Sequence, residues 1–210
     1  GDGAEDGNAA GTGGDAAAAA DSLSEMAGKI TPSLIYAWAD ADRDAHLAVL
    51  RTIEDRLLWL STAIVDHANR VRPNPDGLKV GGHQASSASM VSIMTALWFD
   101  ALTSEDRVSV KPHASPVFHA IQYLLGDLDR SYLTRLRARG GLQSYPSRTK
   151  DPDKVDFSPG SVGLGAAAPL FAAATRRYVD AHFGPRPSSR FYALLGVPVG
   201  VGLGLFLART

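Results

Sequence analysis

The run Phe191-Tyr192-Ala193-Leu194-Leu195 constrains the fold more than any other stretch of the chain. It is apolar without alternation, the pattern of a strand buried on both faces of a parallel sheet. It follows a small-residue-rich segment, Gly163 to Phe183, that reads as a helix ended by Gly184. A second strand is expected at Val108-Ser109-Val110, stopped by Pro112. Between and before these strands the periodicity is helical. Leu47, Leu50, Ile53, Leu57, Leu60, Ile64 and Ala68 recur at steps of three and four, which predicts a helix from about Asp42 to Asn69. Met90, Ile93, Met94, Leu97 and Trp98 predict another from Ser86 to Leu102. Ser115-Pro116 is a helix start, with Ser as N-cap and Pro at the first helical position, and Gly126 closes that helix. A short helix is expected from Tyr132 to Arg139, then a long loop from Leu142 to Gly160 carrying Pro146, Pro152 and Pro159. Helix and strand alternate, so the fold class is α/β, a parallel sheet flanked by helices.

Composition narrows the function. Hydrophobic residues make up 45% of 210, enough for a single core. The formal charge of −1 gives no electrostatic case for nucleic acid or an anionic membrane. The chain has no cysteine, which removes disulfides, thiolate metal sites and a thiol nucleophile and fits a cytoplasmic protein. Residues 1–25 hold six acids and no base among Gly and Ala, and read as a disordered acidic leader. Phe191 to Ala208 carries no charge, but its four glycines and Pro198 argue against a membrane span. Residues 26–196 form the domain proper, and 197–210 an apolar, Gly-rich tail.

Two histidines thirty positions apart stand in small-residue runs ahead of helices. They are Gly81-Gly82-His83-Gln84-Ala85-Ser86-Ser87 and Lys111-Pro112-His113-Ala114-Ser115-Pro116. Small residues admit a ligand to the backbone, helix starts offer free N–H groups, and imidazole exchanges a proton near neutral pH. His46, His67, His119 and His182 show no metal-ligand spacing, so no metal site is expected. His182 fits the end of a helix dipole, and His119 the core-facing side of an amphipathic helix. Gly163-Leu164-Gly165-Ala166-Ala167-Ala168 matches a dinucleotide fingerprint but follows a Pro-containing loop rather than a strand. Its small residues are expected to let the helix pack closely. Arg135, Arg137, Arg139, Arg176 and Arg177 read as solvated helix faces, with a dimer interface as the second reading.

Four segments in order, GGHQASSAS (Gly81–Ser89), DRVSVKPHASP (Asp106–Pro116), GLQSYP (Gly141–Pro146) and GSVGLGAA (Gly160–Ala167), resemble the N-terminal domain of transketolase-like thiamine diphosphate enzymes. Within that group the stretch is similar to the homodimeric decarboxylating component of the pyruvate dehydrogenase complex. The resemblance implies a thiamine diphosphate-binding fold, incomplete at its C-terminus, and oxidative decarboxylation of a 2-oxo acid. It implies His83, His113 and Tyr145 as catalytic residues, and Ser161, Val162, Gly163, Leu164 and Gly165 as residues passing close to the cofactor. Tyr145 stands where transketolases carry the His of Gly-His-Pro, which favours decarboxylation over the alternative, ketol transfer between sugars. The implied partners are a second copy of the chain and a lipoyl-bearing acyltransferase.

Two departures accompany the match. Pyruvate dehydrogenase components typically carry Gln-Gly-His where this chain has Lys111-Pro112-His113, which changes the charge beside the cofactor. The family follows the second strand with a Gly-Asp-Gly turn whose Asp holds magnesium, whereas Gly196 here precedes Val197-Pro198-Val199-Gly200. Magnesium ligands are therefore absent, and the chain alone is expected to be inactive. A fragment or regulatory module keeping only the fold is the non-enzyme alternative, and the abrupt change after Gly196 reads as a shifted frame or damaged gene.

Overall fold

A computed structural model describes residues 43–160 and 163–196, and the backbone of 204–209. The expected acidic leader, Ser161 and Val162 lie outside the described residues.

Helix α1 spans Arg43–Asp66 and continues as one wide turn, His67–Val71. It buries Leu57, Leu60 and Ile64 of the stripe that its spacing predicts, with Val65 beside them, while Leu47 near its start is exposed. The helix expected over Ser86–Leu102 is interrupted. Helix α2 (Gln84–Ala88) and helix α3 (Val91–Ala96) meet at a turn through Ser89 and Met90, and α3 runs into a wide turn, Leu97–Ala101. The break falls where serines cluster: Ser89 Oγ donates to the Ser86 carbonyl, a local bond that competes with helix geometry.

Strand β1 (Arg107–Ser109) leads through the tight turn Pro112–Ala114 into helix α4 (Ser115–Leu124). The expected Ser115 N-cap is corrected: Ala114 holds the cap position with no side-chain bond, because the preceding turn already feeds the helix. Every residue of α4 from Ser115 to Gln122 is buried, as befits a helix enclosed on all sides. It packs on α1, α2 and α3.

The expected helix Tyr132–Arg139 is also corrected. A tight turn, Arg130–Thr134, gives way to irregular chain that doubles back so that Leu136 bridges Leu142. Both leucines are buried, and that burial outcompetes local helicity. The reversal needs Gly141, where a Cβ would stand 2.0 Å from the Arg135 carbonyl oxygen.

Helix α5 (Leu164–Phe183) precedes strand β2 (Arg190–Leu195) and lies against both β1 and β2. The close packing expected of its small residues is present: a Cβ on Gly165 would press Pro159 and the Ser109 hydroxyl at 3.0 and 3.3 Å. β1 and β2 are parallel, with Val108 opposite Tyr192 and Ser109 opposite Ala193. Tyr192 and Leu194 join the core formed by α1, α3 and α4. Alternation turns Phe191 and Ala193 to the other face, where they too are buried. The tail adds strand β3 (Gly204–Arg209), antiparallel to β2, so the sheet order is β1-β2-β3. Among the described residues no helix is long and apolar enough to cross a membrane.

Candidate active site

The two histidine loops converge. His83 occupies the residue ahead of α2, and His113 lies in the turn between β1 and α4. Their ring centroids are 4.8 Å apart, edge to face at 70°. The His83 loop is held from α1. Asn69 Nδ2 donates to the Gly81 carbonyl, and the Gly81 N–H donates back to Asn69 Oδ1, both at 3.0 Å. Gly82 has φ +113 and lies against Val65, so neither its backbone nor its space admits a side chain.

His113 borders two cavities. The larger, about 260 Å³, is lined by Lys111, His113, Tyr145, Gly160, Gly163, Gly165 and the end of β2 from Leu194 to Gly196. The smaller, about 140 Å³, adds His83, Arg137 and Ser144, and shares Pro112, His113 and Tyr145 with the first. The structure thus gathers His83, His113, Tyr145, Gly163 and Gly165 around two cavities that share the wall of Pro112, His113 and Tyr145. Leu164 is on neither wall and is exposed at the start of α5.

Electrostatically the site is one-signed. Burial, followed by the nearby His83, Lys111 and Arg137, holds the His113 imidazole below its ordinary pKa, so it favours the neutral form. Lys111 is buried and donates to Ser86 Oγ at 3.0 Å, and burial pulls its ammonium below the usual lysine range. No carboxylate lines either cavity among the described residues. Arg137 is not on a solvated helix face as expected. It has φ 56 and its guanidinium donates to the Val80 carbonyl, which ties the Leu136–Leu142 reversal to the His83 loop.

The Tyr145 loop is braced from beneath. Asp151 accepts the N–H groups of Gln143 and Ser147, each at 2.7 Å, on either side of Tyr145. Fully buried His119 pairs Nδ1 with Asp153 Oδ2 at 2.7 Å and Nε2 with the Gln143 carbonyl at 3.2 Å. His119 is buried, as expected of the core-facing side of α4, and is also a member of this brace. Folding brings His119, Asp151 and Asp153 together although sequence spacing does not. Both oxygens of Asp151 and both nitrogens of His119 are engaged by protein groups, so they clamp the loop, whereas Asp153 Oδ1 is buried with no hydrogen-bond partner among the described residues.

The sequence placed Lys111 beside the cofactor only as a change of charge, and Arg137, Gly160 and Gly196 were not among the expected site residues. The available signal for Lys111 was a single lysine wedged between an apolar strand and a proline.

No family model matches the chain. It is similar to the pyruvate dehydrogenase E1 component of Pseudomonas aeruginosa, 30% identical over 167 residues, covering 75% of this chain and 18% of that protein. The component from Mycobacterium tuberculosis is 30% identical over 159 residues, covering 70% and 16%. That from Escherichia coli strain K12 is 29% identical over 162 residues, covering 72% and 18%. The chain is pyruvate dehydrogenase E1-like. It spans less than a fifth of the length of these curated relatives. The E1-like stretch and the α/β layering agree with the resemblance carried by the four sequence segments.

Proposed function

We propose that this chain provides the histidine-bearing wall of a thiamine diphosphate site acting on a 2-oxo acid, in the manner of pyruvate dehydrogenase E1 components. The observation that carries the reading is the His83–His113 pair opening on a cavity shared with Tyr145. The donor set suits the organic part of the group. Lys111 and His113 offer cationic and N–H donors to its anionic end, and Gly160, Gly163 and Gly165 leave backbone open to it. It does not suit a divalent ion, because the described lining holds no carboxylate. When bound, the cofactor supplies the electron sink for breaking the bond between carboxylate and carbonyl carbon.

The chain's own residues handle protons and orientation. Neutral His113 presents its ring N–H as a donor to oxygen developing negative charge. Exposed His83, edge-on to His113, passes a proton between the cavity mouth and solvent. Tyr145, on the wall of both cavities, orients the substrate. With a tyrosine rather than a histidine in this motif, the reading favours decarboxylation over ketol transfer. The chain is proposed to bind without turning over alone, to pair with a second copy and a lipoyl-bearing acyltransferase, and to act in the cytoplasm.

Thiamine diphosphate at millimolar concentration is expected to raise the melting temperature by several degrees, since a ligand of the native state stabilises it. His83→Ala with His113→Ala reduces that shift. Absence of any shift in the wild type refutes the reading, and release of carbon dioxide from pyruvate by this chain alone refutes its inactivity.

A further inference from the structure

Lys111 is 6% exposed and lines the larger cavity. Its ammonium has three donors, and among the described residues its hydrogen bond is to the neutral Ser86 hydroxyl. Among the described residues the lining carries no acid that balances the charge. A buried ammonium is costly unless an opposite charge joins it. Gly196 makes room for the ammonium itself, since a Cβ there would stand 2.6 Å from Lys111 Nζ.

We propose that Lys111 is an anion seat: it holds a compact oxyanion, the phosphate end of a cofactor or the carboxylate of a 2-oxo acid, without a divalent cation. The unused ammonium donors supply charge-assisted hydrogen bonds. Since no carboxylate lines the cavity among the described residues, the lysine itself carries the positive charge that the anion requires. The proposal deepens the reading above but stands on the lysine and the cavity.

The test uses the full chain in EDTA, with inorganic pyrophosphate and pyruvate titrated separately against wild type and Lys111→Met. At least one probe binds the wild type. Pyrophosphate alone identifies a phosphate seat, and pyruvate alone a carboxylate seat. Lys111→Met weakens that binding by at least about tenfold while the unliganded melting temperature stays level or rises, because a desolvated charge is gone. The lysine ¹³Cε resonance assigned to Lys111 shifts with the active probe in the wild type, which keeps the test decisive should the variant fail to fold. No binding of either probe in EDTA, a requirement for magnesium, or unchanged affinity in Lys111→Met overturns the proposal. If thiamine diphosphate binds Lys111→Met as it binds wild type, the seat falls and the family reading stands. If pyrophosphate binds through Lys111 while thiamine diphosphate does not bind, the reverse holds.

Discussion

Asp106 and Arg190, 84 residues apart, close the start of the sheet with a buried carboxylate gripping a guanidinium at 2.7 Å. Asp106 Oδ1 also accepts the Arg190 backbone N–H at 2.7 Å, so one side chain fixes the entry of both parallel strands. Removing a partner from a buried pair leaves the other charge uncompensated. Asp106→Asn is expected to destabilise the chain by about 3 kcal/mol in urea unfolding. A loss below about 1 kcal/mol would show that the grip is incidental. Burial opposes ionisation of Asp106, but the Arg190 guanidinium and the Thr103 and Arg190 backbone N–H groups outweigh it, and its pKa lies below 3.8. Its contribution is present above 3.8 and lost as pH falls through the lower folded value, so Asp106→Asn also flattens the acid limb of the stability curve.

The His113 imidazole behaves with the same sign. Its folded pKa lies below 6.5, first through burial and then through His83, Lys111 and Arg137. The related stability is fully present above 6.5 and is lost as pH falls through the folded value. NMR titration of His83→Asn is expected to move the His113 midpoint upward. An unmoved midpoint would mean that the two rings are electrostatically independent.

Asp151 tests the brace under Tyr145. Asp151→Ala strips the acceptor from two backbone N–H groups at once, with an expected cost of about 2 kcal/mol. Hydrogen exchange at Gln143 and Ser147 should accelerate, while that of α1 changes only as global stability does. Uniform acceleration across the chain would deny the loop a local clamp.

Much of this arrangement was legible in sequence, for reasons that differ by element. The β2 run and the α1 stripe are dictated by local periodicity, and both appear within a few residues of their expected limits. His83 and His113 announced themselves by their small-residue surroundings. The Leu136–Leu142 reversal was illegible because it depends on two leucines meeting in the core and on the absence of a side chain at Gly141. The same holds for the clamp of His119, Asp151 and Asp153, whose members come from α4 and a distant loop. Lys111 was visible only as a change of charge; its burial follows from tertiary packing.

Glycine positions give a paired comparison. Gly82 and Gly126 both have positive φ, but a Cβ at Gly82 would meet Val65 Cγ1 at 2.9 Å and one at Gly126 meets nothing within 4 Å. Gly126→Ala is expected to cost about 1 kcal/mol, the backbone penalty alone. Gly82→Ala should cost about 1 kcal/mol more and displace the His83 loop from α1. Equal losses in thermal unfolding would show that Val65 yields freely.

The unbalanced lining of the two cavities also has a kinetic consequence. His83, Lys111, His113 and Arg137 bring basic groups to a recess on a molecule whose formal charge is −1. If the recess takes an anion as proposed, these basic groups draw small anions toward it before contact. Capture is then expected to be fastest in dilute buffer and to slow as the Debye length contracts, while release, governed by contacts inside the recess, is expected to respond far less to salt.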